Sequence, residues 1–185
     1  YMLLPYYYSL FYEAHTTGMP IMRPVFFADP TDRALRTEDD LFLIGDGLLV
    51  HPQLTLNADR VPAFPKGIWR ELPLEGADNP DIPDFYIKGG SILPTGPKVQ
   101  YVGEKPLDPL TLLVTLDEHI AAQGTIYRDS GEGFAYREGD SLLATYLASR
   151  TGNTVTIERA RSDGSLPEHT HGLHVSPEGN SDIVF

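Results

Sequence analysis

The run Gly18 to Phe27, GMPIMRPVFF, constrains the fold more than any other stretch of this chain. Ile21, Met22, Val25, Phe26 and Phe27 follow one another with little polar alternation, the pattern of a strand buried on both faces inside a parallel sheet or barrel. Pro20 and Pro24 weigh against a central strand, because neither can donate to a ladder. Before it lies YMLLPYYYSLFYEAH, in which Leu3, Leu4, Tyr7, Tyr8, Phe11, Ala14 and His15 recur at helical spacing up to a stop at Gly18. Leu10 and Tyr12 extend the apolar surface around the flanks, leaving Ser9 and Glu13 for water. A helix this apolar must pack on several sides. A chain terminus is poorly placed at such a helix, so further sequence is expected upstream.

After the strand, Asp29 before Pro30 reads as an N-cap with proline at the first helical position, predicting a short helix to Leu35. Thr37 with Asp40 resembles a capping box and predicts a second, EDDLFLI, ending at Gly45. Helix, strand, helix is one turn of an α/β layer. Beyond Gly45 the pattern changes. The turn Gly45-Asp46-Gly47 leads into short segments broken by proline: LLVHPQL, RVPAFP, IWREL, FYIKG, SILPT and KVQYV. Each can bury one face only, so two sheets must stack, with Trp69 as the expected anchor. Lys88-Gly89-Gly90-Ser91 reads as a tight turn between two apolar strands, and Gly76 to Asp84 as an exposed loop.

From Pro106 a second antiparallel unit follows. LTLLVTL is a strand, and GTIYRDSGEGFAYREGD a hairpin with DSGEG at its tip. SLLATYLASR and TVTIERARS alternate with period two, Val155, Ile157 and Ala160 being predicted to share a face. The closing segment from Ser165 has a weak pattern. The 17 Gly and 16 Pro among 185 residues agree with a largely β body.

The net charge of −12 repels phosphate backbones and anionic lipid, so neither nucleic acid nor membrane is an expected partner. No cysteine is present, which excludes disulfides and thiolate metal sites and leaves the compartment open. No apolar run is long enough to span a bilayer as a helix.

In order, YMLLPYYYSLFYEAHTTGMPIMRPVFF, EDDLFLIGDGLLVHPQL, PKGIWRE, IKGGSILP and IYRDSGEGFAYREGD resemble the C-terminal third of family 31 glycoside hydrolases, the α-glucosidases. The branch containing plant heteroglycan glucosidase-like and related bacterial enzymes is the most similar, and the resemblance runs from Tyr1 to about Ile157. It implies a mainly β chain in which residues 1–45 end a (β/α)8 catalytic barrel. Residues 46–104 would then form a proximal β-sandwich domain, and residues 105–185 a distal one. It also implies retaining hydrolysis of terminal α-glucosides by two carboxylates about 5 Å apart. The alternative is a non-catalytic β-sandwich module that binds carbohydrate or protein.

The family's W-x-D-M-N-E-like nucleophile segment is absent, and so is its acid/base motif. No catalytic, cofactor-binding or metal-ligating residue is therefore assigned, and no cofactor is expected. Asp29 is the best-placed carboxylate, although capping accounts for it. Arg23 reads as a buried structural ion pair before a subsite contact, and His15 as a helix-end histidine. His169, His171 and His174 have the spacing of metal ligands without a surrounding strand, and read as a solvated tail. Asp129-Ser130-Gly131-Glu132-Gly133 lacks the spaced acids of a calcium loop and reads as turn chemistry. Tyr127, Phe134 and Tyr136 around it read as cross-strand or core aromatics before sugar-stacking ones.

Overall fold

The computed structural model describes residues 1–52, 61–72, 79, 82–107, 110–166 and 182–184. These are mostly strand, with one α-helix and two sheets. Packing divides the chain into two units, Pro20–Gly89 and Tyr1–Met19 with Gly90–Phe185.

In the unit Pro20–Gly89 the strands are β1 (Met22–Pro24), β2 (Phe42–Ile44), β3 (Leu48–His51), β4 (Trp69–Glu71) and β5 (Asp84–Lys88). They form an antiparallel sheet in the order β1-β2-β3-β5-β4. The expected two-faced parallel strand is instead a short antiparallel edge. Its pattern is exposed, buried, exposed, and the chain turns into a 3-10 helix at Val25–Phe27. The two prolines explain the difference, since they remove the donors a central strand needs. Val25, Leu35, Leu41, Leu43 and Leu49 form the core.

Both short helices expected between Pro30 and Ile44 are absent. Asp29 accepts hydrogen bonds from the Thr31 N–H (3.0 Å) and hydroxyl (2.6 Å), and Asp32 accepts one from the Ala34 N–H (2.9 Å). Side chains that offer the backbone such partners favour turns over helix. Glu38 likewise takes the Asp40 N–H at 2.8 Å and the Ala63 N–H at 2.6 Å, after which Phe42–Ile44 pairs as a strand with β3. The Gly45-Asp46-Gly47 turn forms as expected, with Ile44 opposite Leu48.

Trp69 does not anchor the core. It lies on edge strand β4, packed partly against the core, and its indole N–H donates to the Pro65 carbonyl at 3.0 Å. Trp69→Ala should therefore cost about 2 kcal/mol, below the 3–5 kcal/mol of a fully buried tryptophan. Urea unfolding followed by far-ultraviolet circular dichroism checks this, and a loss above 4 kcal/mol would restore the anchor role.

The second unit contains α1 (Leu4–Thr17), β6 (Ser91–Thr95), β7 (Thr111–Thr115), β8 (Ala121–Asp129), β9 (Ser141–Thr151), β10 (Thr154–Gly164) and β11 (Asp182–Val184). The sheet order is β11-β10-β9-β8-β6-β7. The turn expected at Lys88 to Ser91 forms between β5 and β6 and carries the chain from one sheet to the other. On β9, Leu142, Ala144, Tyr146 and Ala148 alternate inward, packing with Ile92, Leu112, Val114, Ala122 and Ile126. On β10 the register shifts between Arg159 and Arg161, so Ala160 falls at a bulge and is exposed instead of sharing a face with Val155. The returning arm expected within residues 134–140 is not a strand: Ala135–Glu138 forms a 3-10 helix, and the strand that pairs with β8 is β9, from Ser141.

Helix α1 ends at Gly18 in the left-handed conformation, with its N–H donated to the Ala14 carbonyl. Its faces differ from the sequence expectation. Pro5, Tyr6, Ser9 and Leu10 are buried, whereas Leu4, Tyr8 and Phe11 are 41%, 39% and 60% exposed. Ser9, expected in water, lies on the buried face. No helix among the described residues is long and apolar enough to cross a membrane.

Candidate functional site

Strand β8 carries a carboxylate at its end, Asp129, and one register step inside it a tyrosine, Tyr127, close to helix α1. The Tyr12 and Tyr127 rings stack at 4.2 Å between centroids and 13° between planes, and Tyr8 lies beside Tyr127 at 5.9 Å. The Tyr8 hydroxyl donates to Asp129 Oδ1 at 2.5 Å, and the Tyr127 hydroxyl to Oδ2 at 3.1 Å. The Gly131 N–H donates to Oδ1 at 2.8 Å, turning the chain into the hairpin tip. Both carboxylate oxygens thus hold donors.

Electrostatics follow this geometry. Burial pushes the Asp129 carboxyl up, but the hydrogen bonds from Tyr8, the Gly131 N–H and Tyr127 together hold it below its usual range. Burial, then the bond to Asp129, raises Tyr8 well above an ordinary tyrosine. Burial and the Asp129 charge push Tyr127 up to about 12. The group is an ionised carboxylate between two neutral phenols. A carboxylate so engaged is a poor proton donor and a good fixed acceptor.

Next along the chain, Phe134 is exposed and the Arg137 guanidinium lies 4.6 Å from its ring centroid and 5.8 Å from that of Tyr136. Of the aromatics singled out in the sequence, only Tyr127 joins the carboxylate. Its partners Tyr8 and Tyr12 were assigned to helix packing, because a contact 121 residues away leaves no local signal.

The other candidates stand apart. Arg23 is buried, with its Nε donated to the Pro20 carbonyl at 2.7 Å and its Nη1 paired with Asp46. Asp29 closes its turn on Thr31, whose hydroxyl and N–H hold its carboxyl below the usual range. His15 is exposed in the last turn of α1. The three histidines His169, His171 and His174 lie outside the described residues. Glu38, Asp39 and Asp40 bring carboxylate oxygens within 4.8 Å of one another, and Glu38 uses both of its oxygens on backbone N–H groups. His51 Nδ1 and Asp84 Oδ2 face each other at 3.5 Å across β3 and β5.

Comparison with known proteins places these features. Residues 18–93 match the family described as glycosyl hydrolase family 31 C-terminal domain. Glucoamylase 1 of Schwanniomyces occidentalis is 37% identical over 166 residues, 80% of this chain and 17% of that protein. Neutral alpha-glucosidase AB of Sus scrofa is 34% identical over 178 residues, 89% of this chain and 19% of that protein. Among solved structures, a family 31 alpha-glucosidase from Bacteroides thetaiotaomicron superposes with a TM-score of 0.80 at 48% identity, covering 89% of this chain and 27% of that one. The chain thus spans less than a fifth of the length of these two curated relatives, at 17% and 19%.

Proposed function

Because residues 18–93 are a glycosyl hydrolase family 31 C-terminal domain and the chain aligns with α-glucosidases of that family, we propose that it is the C-terminal part of a retaining α-glucosidase. The substrate class is the terminal α-glucosidic bond of an oligo- or polysaccharide. Residues 1–45 close the catalytic barrel, and residues 46–104 and 105–185 are the proximal and distal β domains that brace it and shape its entrance. The nucleophile and acid/base are supplied from outside these 185 residues, since neither family motif occurs among them.

The observation that carries this reading is similarity at 48% identity over 89% of the chain to a solved family 31 alpha-glucosidase. Helix α1 supports it against the binding-module alternative. A self-contained module covers its large apolar side chains, whereas Leu4 and Phe11 form an open stripe on the face opposite Tyr6 and Leu10. That stripe suits a helix with a second layer to lie against.

Expressed alone, the chain should release no p-nitrophenol from p-nitrophenyl α-glucoside above the blank. Joined to the upstream region of its own gene, it should hydrolyse that substrate. Turnover by the chain alone would refute the missing-carboxylate argument, and inactivity of the joined protein on all α-glucosides would refute the assignment.

A further inference from the structure

Helix α1 occupies a place that a strand would otherwise fill. On the side away from β9, β8 has one ladder pair with β6, Gln123 opposite Ser91, and among the described residues no strand continues along that edge to Asp129. The helix covers it instead. The Tyr127 N–H, pointing off the edge, donates to the Ser9 hydroxyl at 3.1 Å, and that hydroxyl donates in turn to the Pro5 carbonyl at 3.0 Å. An edge covered in this way is withheld from other chains.

The Gly96 N–H, donated to the Met2 carbonyl at 2.8 Å, ties the start of α1 to the end of β6, and Pro5, Tyr6 and Leu10 are buried, but apolar packing alone sets the roll of the helix only loosely. Asp129 removes that freedom: it holds the Tyr8 hydroxyl from α1 on one oxygen and the Tyr127 hydroxyl from β8 on the other. Stacking of Tyr12 on Tyr127 adds a third point, one helical turn beyond Tyr8. The charge-assisted bonds have the geometric selectivity that apolar packing lacks.

We propose that Asp129 is a positioning residue, a carboxylate latch that fixes α1 on the edge of β8 and so sets the direction in which Leu4 and Phe11 present their open stripe. Its consequence for an α-glucosidase rests on the function proposed above, in which that stripe meets the catalytic layer. The latch itself belongs to this chain and is testable without turnover.

Hydrogen exchange by mass spectrometry on this chain reads it directly. A hydrogen bond to a charged group is worth about 1.5–3 kcal/mol, so Asp129→Asn should speed exchange of the α1 amides roughly 10- to 100-fold while β9 and β10 hold their protection. Tyr8→Phe, which removes one hydroxyl and keeps the ring, should act in the same direction and covers the case in which Asp129→Asn fails to fold. Tyr12→Phe should leave α1 protection unchanged. Unaltered α1 exchange in Tyr8→Phe, or a uniform loss across the whole sheet, would overturn the latch.

The second readout is absorbance at 295 nm during alkaline titration. Asp129 is faced by Tyr8 from α1, Tyr127 from its own strand and the Gly131 N–H, while Tyr12 of α1 acts on Tyr127 and Tyr136 of the 3-10 helix acts on Tyr8. In the wild type, Tyr8 and Tyr127 should ionise after the other tyrosines. In Asp129→Asn, both should move down toward them, and an unchanged curve would refute the assignment. Inactivity of the joined enzyme, by contrast, would refute only the proposed function.

Discussion

Arg23→Ala should destabilise the unit Pro20–Gly89 by about 2–5 kcal/mol, the range for truncating a large buried side chain. Arg23 is 1% exposed on an edge strand, opposite Leu43, whereas its partner Asp46 is 73% exposed in the turn between β2 and β3. The charge is therefore taken out of water on one side only, and the guanidinium tethers the edge strand to that turn. Truncation opens a cavity among core neighbours and leaves the Pro20 carbonyl without its 2.7 Å donor. Two further variants separate charge from volume. Asp46→Asn leaves the buried Arg23 charge without its counter-ion, but the amide oxygen keeps one acceptor for it, so it should cost less, about 1–2 kcal/mol. Arg23→Met, which fills the space without a charge to bury, should recover most of the loss. Urea unfolding of the three variants measures the order, and an Arg23→Ala cost below 1 kcal/mol would show the pair to be dispensable.

Structure was legible in the sequence where neighbours along the chain decide it. The length of α1 and its stop at Gly18, the Gly45-Asp46-Gly47 turn and the period-two pattern of β9 all follow from local chemistry. The misses share a cause. Leu41, Leu43 and Ile44 are compatible with helix or strand, and pairing with β3 decided between them. Ser9 is polar and was placed in water, yet it is buried because a strand edge on β8 needed an acceptor. Neither the Asp46 partner of Arg23 nor the Tyr8 partner of Asp129 could be read, since spacing along a chain does not encode which distant residue folds back upon it. Family resemblance reached the class of protein by another route, through five ordered blocks, and those blocks do not contain the chemistry of bond cleavage.

Gly124→Ala should destabilise the second sheet by about 3 kcal/mol, the upper end of overpacking costs. A Cβ at Gly124 would lie 2.1 Å from the Ile92 carbonyl oxygen and 2.8 Å from the Ile92 Cβ. The clash is with backbone, so no rotamer change relieves it. The site is also where β6 meets β8, beside their Ser91–Gln123 pair, and Ile92 belongs to the core of the sheet. Relief therefore requires β6 to move away from β8, which loosens β7 with it, while the β9–β10 ladder can persist. Gly131→Ala is the matched control. That glycine has open space around it and φ of +79°, so only the left-handed backbone penalises a side chain there, by about 1–2 kcal/mol. For a chain of this size, about 3 kcal/mol corresponds to a melting point lower by roughly 6–12 °C. Thermal melts give the size of the loss, and hydrogen exchange of residues 91–95 and 111–115 gives its place. A Gly124→Ala protein that melts within 2 °C of the parent, with those amides still protected, would show that β6 does not cross β8 as closely as described.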